Sequence, residues 1–207
     1  MTLAPVRLIG GAPGAGKTTL GRALGAYLDV PSLTGDDIVT GILGVTTEQS
    51  HPDLHMIGKR GHIEYFTSSD PEDLRSDALA QHAATWHALE FVARKRSRIG
   101  QPIVIDHWSL DPKRVAESRA GDLRPVWLHI DPEVLDARER DLAEFAADSS
   151  DPERMHTNFM SRSLWWNEHV RRSAHDLGLP AIHQDGSKSV DDLVNEALIA
   201  TSKPLVN

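Results

Sequence analysis

The sequence predicts a three-layer α/β sandwich: a parallel sheet of about five strands, helices on both faces and a helical lid. Three observations lead there. A short apolar run, Val6-Arg7-Leu8-Ile9-Gly10, feeds into Gly11-Ala12-Pro13-Gly14-Ala15-Gly16-Lys17-Thr18, which fits G-x-x-x-x-G-K-[ST] without a mismatch, and a helical pattern follows at once. Further strand-length apolar runs alternate with helix-length segments, the arrangement that builds parallel strands covered on both faces. At 207 residues the chain suits one well-buried domain, expected to span 1–207.

The stretch 11–18 reads as a phosphate cradle. Its glycines let successive backbone N–H groups point inward, and the following helix adds the positive end of its dipole. Lys17 would bridge the outer phosphates of a nucleotide and the Thr18 hydroxyl would hold Mg2+. The expected nucleotide-binding set is therefore Gly11, Ala12, Pro13, Gly14, Ala15, Gly16, Lys17, Thr18 and Thr19, which puts the chain in the P-loop NTPase class.

In the next helix Leu20, Ala23, Leu24, Tyr27 and Leu28 recur at helical spacing, as one stripe against a sheet. An extended piece, Pro31 to Thr34, then meets Gly35-Asp36-Asp37, where a second helix begins. Its paired carboxylates suit either capping with dipole compensation or contact with a substrate. From 44 to 71 the periodicity fails, and this insertion of irregular or short helical structure carries Lys59, Arg60, His51, His55 and His62. Insertions of that size are usually functional. The histidine spacings match no familiar metal pattern, so acceptor binding is the expected role.

A long helix follows over 73–98, with Leu79, Ala83, Trp86, Leu89 and Ala93 on one side. Its basic end, Arg94-Lys95-Arg96-Ser97-Arg98, is either a solvated terminus favoured by the dipole or a binding patch. Gln101 to His107 is the second strong strand, ending in Asp106, either an ordinary strand-end residue or, given the P-loop, the Asp that in P-loop proteins helps organise magnesium. His107 and Trp108 would then lie at the carboxyl edge of the sheet, either contacting a ligand, as open α/β folds do there, or packing the edge. A third strand, Arg124 to Ile130, leads through Asp131-Pro132 into a helical hairpin, about 138–158. Arg138, Arg140 and Arg154 sit near its tip, either in weak surface pairs or as parts of a lid. The return helix should turn Phe159, Trp166, Val170, Ala174 and Leu177 inward and leave Arg162, Arg171 and Arg172 on its surface. A last strand over 181–184, a turn at Asp185-Gly186-Ser187 and a helix bearing Val190, Leu193, Val194, Ala197 and Leu198 complete the pattern.

Composition removes several classes of function. A net charge of -8 disfavours a protein whose task is to grip nucleic-acid backbone. No apolar run approaches the roughly 20 residues of a membrane helix, and the first residues lack the regions of a signal peptide, so a cytoplasmic location is expected. Without cysteine there are no disulfides, thiolate ligands or cysteine nucleophiles.

The order of parts resembles the small-molecule kinases of the nucleoside-monophosphate-kinase-like P-loop group, such as shikimate, gluconate and adenylylsulfate kinases. The likeness covers most of the chain in element order, and the loop at 11–18 is its specific motif. In several of those kinases a Gly-Asp pair opens the second helix and binds or deprotonates the acceptor hydroxyl; Gly35-Asp36 stands in that place here. The tract from Trp86 through Ile103-Val104-Ile105-Asp106 and Leu110-Asp111-Pro112 also looks like the 2-phosphoglycerate-kinase-type proteins. Their strand more often ends in Glu-Gly, from which Asp106-His107 departs.

The resemblance implies ATP- and Mg2+-dependent transfer of a phosphoryl group to a hydroxyl of a small metabolite or antibiotic-like molecule. It implies catalytic roles for Lys17, Asp36 and Arg138, lid contacts from Arg140 and Arg154, and adenine near Asp185, Gly186 and Ser187. Acceptor contacts fall on Asp36, Asp37, Lys59, Arg60 and His107, and the metal on Thr18 and Asp106. A small-molecule acceptor is the expected partner, without membrane or nucleic acid, and a homodimer is left open. The alternatives are a nucleotide-dependent switch that moves 44–71 against a protein partner, and a polynucleotide kinase using Arg94-Lys95-Arg96.

Overall fold

The computed structural model describes residues 3–141 and 148–205, apart from the side chains of Lys59 and Asp141. Strands β1 (Val6–Gly11), β2 (Ser32–Thr34), β3 (Ile103–Asp106), β4 (Leu123–Ile130) and β5 (Ala181–Gln184) form one parallel sheet in the order β2-β3-β1-β4-β5. The helices are α1 (Lys17–Leu28), α2 (Gly35–Leu43), α3 (Gly61–Ser68), α4 (Pro71–Arg98), α5 (Pro112–Glu117), α6 (Pro132–Asp141), α7 (Pro152–Asp176) and α8 (Val190–Ala200).

Alternation along the strands separates two cores. Val6, Leu8, Ile105 and Trp127 face Trp86 and Leu89 of α4 and Trp166 and Val170 of α7. Ile9, Val104, Val126 and Leu128 face Leu20 and Leu24 of α1 and Leu193 and Val194 of α8. Each large side chain fully buried this way contributes about 1.5–3 kcal/mol, which is why the short strands can carry the three layers. Trp127 is also tied by its indole N–H, which donates to the Leu110 carbonyl at 2.7 Å.

Some expected faces are rotated. Tyr27 is 66% exposed, because α1 lays Gly21 and Gly25 against the sheet instead; a Cβ on Gly25 would stand 3.0 Å from the Val30 carbonyl oxygen. Leu79 and Leu177 also face solvent. On α4 the expected Trp86, Leu89 and Ala93 are buried, and the buried face also takes in Leu74, Ala78 and the polar His82, Thr85 and Ser97. Arg162, expected on the surface of α7, is only 7% exposed.

The 44–71 insertion holds the short helical structure expected of it. Two short 3-10 turns, Pro52–Leu54 and Gly58–Arg60, lead into α3. Tyr65 and Phe66 of that helix join Leu74 and Met155 in a third, smaller core. At the basic end of α4, Arg96 is engaged by Gln101 Oε1 at 2.7 Å and Arg94 lies over the Phe91 ring. Among the described residues no helix is long and apolar enough to cross a membrane.

Candidate functional site

The sheet register brings the candidate residues together. Ile9 and Thr34 both pair with Asp106, so the end of β3 lies between the start of the glycine loop and the start of α2. In the loop Gly14 and Gly16 hold φ of 75° and 92°, a region that other residues enter at a cost. A Cβ on Gly14 would stand 2.3 Å from Leu135 Cδ1. The Lys17 ammonium donates to the Ala12 carbonyl at 2.7 Å. Burial pushes this amine down to about 8, against the attraction of Asp106, Asp36 and Glu139.

Thr18 Oγ1 donates to Asp106 Oδ1 at 2.8 Å. Asp106 is 2% exposed, and its Oδ2 has no hydrogen-bond partner among the described residues. Burial pushes its carboxyl above the ordinary range. A buried carboxylate oxygen left without a donor, beside a threonine hydroxyl, offers the oxygen ligands that fit a divalent cation. Thr18 and Asp106 could therefore hold Mg2+.

Asp36 opens α2 with a side chain 73% exposed. Its Oδ2 accepts from the Thr34 hydroxyl at 3.3 Å, and Thr34 Oγ1 in turn caps the helix by accepting from the Asp36 N–H. Its Oδ1 lies 3.3 Å from His107 Nε2. The His107 contact, with help from Thr34 and Lys17, holds Asp36 below the usual carboxylate range against the opposing effect of burial. His107 itself is 3% exposed and stands behind Asp36 at the carboxyl edge of the sheet. It lies beneath Gly35, where a Cβ would stand 2.5 Å from its Cγ. Asp37 is exposed beside Asp36. Arg60 stacks over Tyr65 at 5.2 Å, while the Lys59 side chain lies outside the described residues.

Of the three hairpin arginines, only Arg138 is on the loop, donating to the Gly14 carbonyl at 3.0 Å. Arg140 pairs with Asp136 one turn earlier, and Arg154 stands 4.0 Å from Asp70 at the start of α4. The lid expected over about 138–158 includes 142–147, which lie outside the described residues. Beside the loop is a cavity of about 400 Å³ lined by Gly14, Gly16, Arg138, Gln184, Lys188 and Leu193. Asp185 and Ser187 instead close a small turn on themselves, with Asp185 Oδ1 accepting from the Ser187 N–H and hydroxyl, and Gly186 packs against Val134.

Two residues escaped the sequence reading. Gln184 is 2% exposed with its Oε1 unpartnered among the described residues, at the edge of that cavity. Arg162 lies over Phe66 at 4.4 Å and Trp108 at 4.7 Å, makes no ion pair among the described residues, and has its buried Nε without a partner. Burial pushes its guanidinium down to about 10. The signal for Arg162 was in the spacing, since 159, 162, 166 and 170 follow one helical stripe.

Among solved structures the fold recurs in a shikimate kinase from Bacteroides thetaiotaomicron, with 17% identity and a TM-score of 0.56 over 96% of this chain and 98% of that one. A gluconokinase from Sinorhizobium meliloti 1021 is similar at 17% identity and 0.51, over 98% and 94%. A sugar kinase from Janibacter sp. HTCC2649 follows at 16% identity and 0.56, over 98% and 96%. At these identities the likeness concerns the fold. No curated protein matches the chain. A family model described as an AAA domain matches residues 6–164, from β1 into α7, and the chain belongs to that family of P-loop domains.

Proposed function

We propose that the protein is an ATP- and Mg2+-dependent phosphotransferase that moves the γ-phosphoryl group to a hydroxyl of a small molecule bearing an anionic group. One observation carries this reading: a P-loop, a buried Asp106 with an oxygen unpartnered among the described residues and an exposed Asp36 meet at one edge of the sheet. The loop N–H groups, Lys17 and Thr19 bind the polyphosphate, and Thr18 with Asp106 holds Mg2+, directly or through water. Bound there, Mg2+ would neutralise phosphate charge. Asp36 orients the acceptor hydroxyl and takes its proton.

Arg138, already on the loop, neutralises charge on the transferred group, and the segment of about 138–158 serves as the lid that excludes water. Residues 44–71 form the acceptor face. On that side Arg162 is a buried cation that makes no ion pair among the described residues, an arrangement that costs energy until an anion pairs with it. A carboxylate or phosphate on the acceptor supplies that partner. The enzyme would act in the cytoplasm on a small metabolite or antibiotic-like molecule.

The test is a mass-spectrometric screen of hydroxy acids, phosphosugars, sugars, nucleosides and aminoglycosides incubated with ATP and Mg2+. At least one anionic acceptor gains a phosphoryl group, and Lys17→Ala abolishes the gain. ATP turnover stimulated only by a macromolecular partner would replace this reading with a regulatory ATPase.

A further inference from the structure

We infer that His107 is a positioning residue that fixes Asp36 for the acceptor hydroxyl, with its own ring held in one tautomer by Ser109. The inference rests on the transferase reading above. His107 Nδ1 accepts from the Ser109 backbone N–H at 3.3 Å and lies 2.5 Å from the Ser109 hydroxyl oxygen. A ring nitrogen that accepts a backbone N–H carries no proton, so the ring proton is on Nε2. That nitrogen faces Asp36 Oδ1 at 3.3 Å, while the Thr34 hydroxyl donates to Oδ2.

Both carboxylate oxygens are thus steered from the protein side, which leaves their outer lone pairs toward solvent and an incoming hydroxyl. The ring has little room to turn. Ser109 is fully buried, and Gly35 covers the imidazole so closely that an added methyl would meet Cγ and Cβ at 2.5 and 2.6 Å. The glycine before Asp36 is therefore explained by the imidazole beneath it. His107 lies beneath Gly35, and Asp36, with its side chain 73% exposed, is the member of the pair open to an incoming acceptor. Gly35 and Asp36 at the start of α2, and His107 and Ser109 after β3, act as one unit joined across distant parts of the chain.

Nitrogen-15 NMR of the histidine-labelled, nucleotide-free protein reads the tautomer directly, with His107 assigned by the signals lost in His107→Gln. An unprotonated Nδ1 and a protonated Nε2 are expected; the opposite tautomer overturns the inference and leaves the transferase reading standing. With an acceptor from the screen, His107→Ala should lower kcat about tenfold or more with KM for ATP unchanged, part of the roughly 10²–10⁴ that a positioned base contributes. His107→Gln, whose amide N–H can stand near the place of Nε2–H, should recover most of that loss. Adding His107→Ala to Asp36→Asn should cost nothing further. A multiplicative loss in the double variant, or no recovery with glutamine, overturns the positioning role. If the wild type phosphorylates nothing on the panel, the transferase reading fails, and with it the role assigned to His107, whichever tautomer is found.

Discussion

Replacing Lys17 by methionine should stabilise the nucleotide-free protein while removing its affinity for nucleotide. The amine is held at about 8 against an ordinary 10.5, burial outweighing its attraction to Asp106, Asp36 and Glu139. That difference disfavours the charged native lysine by about 3 kcal/mol near neutral pH. Its residual exposure and the lost hydrogen bond to the Ala12 carbonyl reduce the gain, each by about 1 kcal/mol. The expected net is about 1–2 kcal/mol, or about 2–8 °C in Tm for a chain of this length. Below about pH 8 native and unfolded chains both hold the proton and the cost is full. Between about 8 and 10.5 the unfolded chain binds more protons than the native one, so wild-type stability rises and the gap to Lys17→Met closes. Urea denaturation at about pH 7 and about pH 9.5 measures that gap, and calorimetry measures ADP affinity. A variant less stable than wild type near neutrality, or a gap equal at both pH values, would refute burial as the source of the depressed amine.

Gly35→Ala places a methyl 2.5 Å from His107 Cγ and should cost about 1–3 kcal/mol; an unchanged melting curve would contradict the packing described. His82 is 1% exposed between Trp108 and Trp166 with both ring nitrogens unpartnered among the described residues, and burial holds it well below 6.5. As pH falls below about 6.5 the unfolded chain takes a proton that native His82 refuses, so the wild type should lose up to about 1.4 kcal/mol per pH unit. His82→Leu should flatten that dependence in denaturation at about pH 7 and about pH 5, and equal acid sensitivity would count against it. Gln184→Leu should weaken ADP binding about tenfold by removing the unpartnered carbonyl from the cavity beside the loop; unchanged affinity by calorimetry would remove Gln184 from the nucleotide site.

What the sequence made legible is what is local in the chain. The glycine loop is a contiguous stretch whose backbone conformation its own residues dictate, and Gly35-Asp36 announces itself at a helix start. Asp106 was readable because an acid ends an apolar strand. The positions that depend on tertiary approach were harder. Tyr27 lies outside because two glycines draw α1 close along another face, which a search for apolar spacing does not weigh. Arg162 was assigned to the surface by its charge, although its spacing with Phe159 and Trp166 placed it inward. For His107 the strand end is visible in the sequence but the cover from Gly35 is not, since that cover joins α2 to the end of β3 across the sheet edge.

The most direct measurement compares ATP turnover with pooled hydroxylated carboxylates and phosphates for the wild type and Arg162→Met. The substitution removes a buried charge that has no ion-pair partner among the described residues and keeps an apolar body against Phe66 and Trp108, so the fold should survive it. The wild type should be stimulated by an anionic acceptor, while the variant should need about tenfold or more acceptor for the same rate with KM for ATP unchanged. Equal acceptor dependence in both proteins, or stimulation by no small molecule at all, would contradict the assignment of this sheet edge as a site of phosphoryl transfer to an anionic acceptor.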